Sequence, residues 1–370
     1  MRKCTLTHQL LRATRLLILP ALYFFLRLIA GYPAVVETVY SRKIYPVIRD
    51  TVSSITGSVS FSICELIIVI VVLAEFLLLL IRIFNVIIFR KGSFVKLVST
   101  LITLLLTAAY TILLFYLMWG FNYYRLPIGQ KLDLPEREYT ASDLERVCFE
   151  LSKNANELRS LTATDENGVF AGSIDDTVSS VVDAYNKFGA SHPSFKANMT
   201  PAKPITFSEL LSACGISGIY IFLTEEPNIN VNEPFLYIPF TAAHETAHYI
   251  GYAHEQDANF LAFLVCKDSG NAELAYSAYM YALVHCGNEL ARTDMSAYRR
   301  LYASYSDGMK SDFDDYRQQI EQNIDSELSD AFESMNDSYL KFNNSESGID
   351  SYTEDTQLIV RYYDSMGFFG

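Results

Sequence analysis

Pro239-Phe240-Thr241-Ala242-Ala243-His244-Glu245-Thr246-Ala247-His248-Tyr249-Ile250-Gly251-Tyr252-Ala253-His254-Glu255 is the stretch on which the reading of this chain turns. Half of the six histidines fall between positions 244 and 254. His244 and His248 stand four residues apart, so a helix projects both imidazoles from one face, where they can fill two corners of a zinc tetrahedron. Glu245 is turned about 100° around the axis from His244, which sets its carboxylate beside a metal rather than on it. Metal-assisted peptide hydrolysis requires a base in that position. Pro239 suits the first helical position, and Ala242, Ala243 and Ala247 are strong helix formers that let neighbours pack close. Gly251 suits the left-handed residue that ends the helix. His-Glu-x-x-His alone is a fallible pattern; a helix marked this clearly around it strengthens the signal.

Two readings compete for the third ligand. His254 completes H-E-x-x-H-x-x-G-x-x-H, the arrangement of metzincins, whose glycine turn brings a third imidazole to the zinc. Glu255 opens Glu-Gln-Asp-Ala-Asn, which is similar to the glutamate helix of gluzincin peptidases. There the Glu binds zinc, and the residue one turn later, here Asn259, supports a ligating histidine from behind. Met309, Met335 and Met366 lie in polar or terminal contexts unsuited to a metzincin Met-turn. Glu255 is therefore preferred, with His254 as the alternative.

Further segments carry a resemblance. Ser217-Gly218-Ile219-Tyr220, Asn228-Ile229-Asn230, Ile238-Pro239-Phe240-Thr241, the HExxH and Ala258-Asn259-Phe260-Leu261-Ala262 form one set. Together with Trp119-Gly120-Phe121-Asn122-Tyr123-Tyr124-Arg125 upstream, they resemble an uncharacterised bacterial family of membrane-anchored HExxH proteins, catalogued only as a domain of unknown function. The resemblance covers most of the chain from the hydrophobic segments onward. It implies a gluzincin-like zinc metallopeptidase in which the position of His254 is usually arginine while the glutamate and the Ala-Asn pair are kept. That favours Glu255 as ligand. The family brings no established substrate.

Charge divides the chain. Residues 1–125 hold 13 Lys+Arg against 4 Asp+Glu, and residues 126–370 hold 16 against 38, within an overall net charge of −13. The expected organisation is a membrane module over 1–125 and an acidic extracytoplasmic domain over 126–370, long enough for its own core. Such acidity argues against nucleic acid and against adhesion to anionic lipid, and it favours a soluble or cationic partner; the peptide or protein substrate is what the HExxH motif calls for. Three hydrophobic segments are expected to span a bilayer: 16–36, 66–89 and 97–118. Trp119, Tyr123 and Tyr124 would form an interfacial aromatic belt after the third. Arg27 and Glu75, both costly at depth, are candidates to pair. Basic residues before the first segment and between the second and third place the N-terminus in the cytoplasm and the 126–370 domain outside.

The expected fold class is mainly α: three transmembrane helices, then a helical zincin-like metallopeptidase domain with a short β strand or hairpin beside the active-site helix. Ser142-Asp143-Leu144-Glu145 reads as a capping box opening a helix to about Leu161. Others are expected over 174–188, 272–290, 312–342 and 353–363, with a strand over Ile219–Thr224. By analogy with zincins, that strand would lie along extended substrate. Tyr352, His285 and Arg361 have the chemistry to stabilise an oxyanion. The six cysteines show no metal spacing; free buried thiols are expected, and Cys266–Cys286 is the first candidate were a disulfide present.

The function these residues point to is zinc-dependent peptide-bond hydrolysis at the outer face of a multi-pass membrane protein. Glu245 is the catalytic base, and His244, His248 and Glu255 the metal ligands. The alternatives are a non-catalytic membrane sensor or scaffold with a closed structural zinc site, and a metal-free membrane protein whose histidines line a helix contact.

Overall fold

The computed structural model describes residues 2–88, 93–343 and 352–369; the side chains of 2–13, 16, 79, 82–88, 93–101, 104 and 352–353 are not described. The molecule is mainly helical and divides into two compact units. One comprises Met1–Tyr45 and Ile63–Arg125, the other Pro46–Ser62 and Leu126–Gly370. Pro46–Ser62, expected with the N-terminal module, thus packs with the later residues.

In the first unit, helices occupy all three hydrophobic segments: Arg2–Ala30, Ile63–Ile88 and Ser93–Met118. The first stops short of residue 36. Gly31 follows its last turn, and Pro33, which lacks the N–H needed to continue, opens a new helix. Among the described residues no single helix is long and apolar enough to cross a membrane; only the bent pair Leu17–Ala30 and Pro33–Thr56 meets that test together. The helix Ile63–Ile88 nevertheless turns Ile68, Ile70, Leu73, Phe76 and Leu77 outward.

The expected aromatic belt is instead interior packing. Trp119, Phe121, Tyr123 and Tyr124 are all buried around a short 3-10 turn, Gly120–Tyr124. Ser41 Oγ donates to Asn122 Oδ1 at 2.8 Å, and Arg125 donates to buried Glu37 at 3.0 and 3.3 Å. These pairings account for the Asn and Arg of the Trp-Gly-Phe-Asn-Tyr-Tyr-Arg motif. Arg27 does not meet Glu75: it donates to Tyr116 OH at 3.4 Å and lies over the Tyr124 ring, while Glu75 is exposed.

The second unit is built on the helix Ala272–Thr293, buried on most of its circumference by Leu274, Tyr276, Ala278, Met280, Leu283 and Leu290. Against it pack the helices Ala141–Arg159, Ile238–Tyr249, Glu255–Lys267 and Tyr352–Ser365. The capping box of Ala141–Arg159 lies two residues earlier than read from sequence: Thr140 Oγ1 accepts from Asp143 N–H at 3.2 Å, and Asp143 accepts from Thr140 N–H at 3.0 Å. The expected long helix over 312–342 is two, Asp307–Asn323 and Ser326–Phe342. Asp325 ends the first run by capping the second, accepting from Glu327 and Leu328 N–H at 3.0 and 3.1 Å. Cys148, Cys214, Cys266 and Cys286 are buried free thiols, so Cys266 and Cys286 are not joined.

Three short strands form the sheet β1 (Lys203–Pro204), β2 (Gly218–Ile221) and β3 (Glu226–Ile229), in the order β1-β3-β2. β2 runs antiparallel to β3 with Gly218 opposite Ile229, and Glu225 turns the hairpin with φ 49°. Pro227 lies in β3; the parallel pairing of β1 starts only at Asn228, so its missing N–H breaks no bond there. Asn228 and Asn230, prominent in the sequence, shape this corner. Asn228 Nδ2 donates to Glu226 O at 2.8 Å, and Asn230 Nδ2 to Ile216 O and Ser212 Oγ, both at 2.9 Å.

Pro46–Ser62 is fastened to the same corner. Lys203 Nζ bonds Glu226 Oε1 at 2.5 Å and the Thr56 and Phe61 carbonyls at 2.8 and 3.1 Å. Tyr249, at the end of the helix Ile238–Tyr249, donates to Ser53 Oγ at 3.2 Å, and Arg49 lies over its ring.

Candidate metal centre

The motif helix Ile238–Tyr249 begins one residue before Pro239, which therefore sits at its second position, where no intrahelical N–H is required either. It ends at Gly251, whose φ is 93°. Gly251 N–H donates to His248 O at 2.9 Å and Tyr252 N–H to Ala247 O at 3.0 Å, the paired bonds of a Schellman turn. This reversal does two things. It carries the Tyr252 carbonyl back to His248 Nδ1, 2.6 Å away, and it starts the next helix at Glu255.

Three side chains then converge. His244 Nε2 lies 3.3 Å and His248 Nε2 3.6 Å from Glu255 Oε2, and one donor atom from each residue lies within 4.8 Å of the others. The imidazole rings are perpendicular, with centroids 4.6 Å apart. Among the described residues this is the grouping of His, Cys, Asp or Glu that could hold a metal ion, and His254 is not in it. His254 instead occupies the cap position before the Glu255 helix.

The electrostatics follow from the packing. Burial works against charge on both Glu255 and His248, yet their mutual attraction prevails. Glu255 is held far below the usual carboxylate range by His248 and His244, and His248 is raised to about 9 by Glu255. A carboxylate and two imidazoles this close offer two nitrogen donors and one oxygen donor, a set that suits zinc with one position left open. His248 donates from Nδ1 to the Tyr252 carbonyl, which leaves Nε2 the unprotonated nitrogen of the neutral ring. His244 Nδ1 is buried without a hydrogen-bond partner among the described residues. The donor set and its orientation fit the ion.

Glu245 sits beside this cluster, 4 % exposed, beneath the backbone of β2. Tyr220 N–H donates to it, and burial raises its pKa to about 7 against the pull of His244 and His248. A Cβ at Gly218 would stand 2.6 Å from Glu245 Oε1, so only glycine lets the strand lie this close.

The remaining candidates have other partners. Asn259, expected to support a ligating histidine, donates instead to Asp355 Oδ2 at 2.9 Å; the histidine support comes from the Tyr252 carbonyl. His285 stacks on Tyr281 and lies 3.7 Å from Asp355 Oδ2, and burial lowers its pKa to about 4. Arg361 is engaged with the Pro135 and Leu134 carbonyls at 2.8 and 3.1 Å. Tyr352 opens the last helix, and its side chain lies outside the described residues.

Asp355 was not anticipated. It is 2 % exposed on the helix Tyr352–Ser365, with a carboxyl held well above the usual range by burial. A signal existed: Asp355, Ile359 and Tyr363 repeat at helical spacing, so an acid shares the apolar face.

Residues 40–360 match the family described as "Protein of unknown function (DUF3810)", and the chain belongs to that family. No curated protein and no solved structure matches it.

Proposed function

We propose that this chain is a membrane-anchored, zinc-dependent metallopeptidase that hydrolyses peptide bonds on the extracytoplasmic face. The observation that carries the reading is the convergence of His244, His248 and Glu255 with buried Glu245 held beside them under an edge strand. Zinc in this site would act as a Lewis acid on the scissile carbonyl and make water nucleophilic near neutral pH.

The chain's own residues supply the rest. His244, His248 and Glu255 would hold the ion, with the Glu245 carboxylate beside them. Glu245, with a pKa near neutrality, accepts the proton of the attacking water and delivers it to the leaving amine. The Tyr220 N–H keeps that carboxylate aimed. Support for the anchor comes from the apolar side chains that the helix Ile63–Ile88 turns outward. A non-catalytic zinc site would close its shell with a fourth protein ligand, and His254 lies outside the donor group.

The test uses the full chain purified in detergent. Zinc is measured by elemental analysis and cleavage by mass spectrometry of a peptide library, with Glu245→Gln as the paired variant. We expect one zinc per chain in both proteins and a loss of turnover of about 10²–10⁴-fold in the variant. Equal turnover in both would remove Glu245 from the reaction; zinc-free protein after zinc addition would remove the metal site.

A further inference from the structure

The helix Ser326–Phe342 stands out because it buries only Leu340. Its apolar residues are ordered. Leu328, Phe332, Met335, Tyr339 and Phe342 are spaced four, three, four and three apart, the heptad seam that one helix offers another. Each of them is between 36 and 60 % exposed.

The charges are placed to match. Ser329, Ala331, Asn336 and Ser338 flank the seam and are uncharged, whereas Glu327, Asp330, Glu333 and Asp337 lie on the outer positions. In a domain this acidic, two copies of most helices would repel; two copies of this one meet without opposed carboxylates. The same acidic outer face disfavours an anionic lipid surface.

We propose that this seam pairs with the same helix of a second copy of the chain, forming a two-fold dimer. The seam is nearly symmetric about Met335, with partners three or four and then seven residues to either side. Parallel and antiparallel pairing therefore both bring Met335 against its own copy. At 1.5 Å per residue the helix offers about 25 Å of contact, and it is already folded on its domain, so pairing requires no new helix ordering. The contact is independent of the metal centre.

The experiment uses the full chain in detergent. Light scattering should give the mass of a dimer, and Met335→Cys should cross-link to its copy under mild oxidation, while Asp330→Cys, on the outer face, should not. Phe332→Glu with Met335→Glu should give a monomer with unchanged helical circular dichroism. A wild type that is monomeric at every concentration, a dimer that persists in the double variant, or equal cross-linking at positions 330 and 335 would each overturn the proposal. So would a seam protected from labelling only in bilayer discs that hold a single copy, which would assign it to lipid.

Discussion

Replacing Gly218 with alanine tests whether β2 sets the position of Glu245. The added Cβ would lie 2.6 Å from Glu245 Oε1, 2.8 Å from Glu245 Cγ and 2.8 Å from Thr241 Cγ2. Ordinary carbon contacts begin near ~3.5 Å, so strand and helix must part by roughly 0.7–0.9 Å. Turning the carboxylate aside does not relieve the contact with Thr241, so the strand itself must lift and take the Tyr220 N–H with it. Gly218 has no positive φ, so the penalty is one of contact and not of backbone strain. Overpacking of this kind costs about 1–3 kcal/mol, a fall in Tm of about 2–12 °C for a unit of this size. A displacement near 1 Å at a reacting group costs about 10²-fold in turnover. His244, His248 and Glu255 are untouched, so bound zinc should stay at the wild-type level. The assay is kcat on any peptide found to be cleaved, read beside elemental zinc and thermal unfolding. Turnover within about threefold of wild type with an unchanged Tm would refute the idea that the strand positions the base.

Further substitutions address Glu255 against His254 and the Lys203–Glu226 pair. Glu255→Ala should weaken zinc binding by more than the ~10–100-fold typical of lost supporting groups, whereas His254→Ala should leave it unchanged; competition with a chromophoric chelator reads both, and the reverse order would make His254 the ligand. Lys203→Met should destabilise the fold by about 3–5 kcal/mol, because it strands buried Glu226 without its partner. Adding Glu226→Leu should recover much of that loss in denaturant unfolding, and no recovery would show that the Thr56 and Phe61 carbonyls matter more than the ion pair.

The local logic of the site was legible because it lies in one continuous stretch. Two histidines at helical spacing, a glycine able to take φ 93° and a glutamate just beyond it fix their own geometry almost without tertiary help. Asn259 was misjudged because its partner, Asp355, lies 96 residues away on another helix, a distance no local pattern spans. The hydrophobic run over 16–36 concealed a break because Gly31 and Pro33 are too small a perturbation to lower its hydropathy. Trp119, Tyr123 and Tyr124 read as interfacial because composition records amphipathic rings but not the neighbours that bury them. The β2–β3 hairpin was half seen: β-branched residues marked β2, while Glu226, Pro227 and Asn228 carry no strand pattern that would have marked β3.

Pro46–Ser62 belongs to the same folded body as Leu126–Gly370, so the helices Ile63–Ile88 and Ser93–Met118 are a detour that departs from that body and comes home to it. If the detour passes through a bilayer, the number of crossings must be even, and two helices satisfy that parity where one or three would not. The arrangement also sets a timetable. The carbonyl of Thr56 waits 147 residues for the ammonium of Lys203, about 7–30 s at ordinary synthesis rates, so that corner of the fold is completed only by chain made well after its first piece.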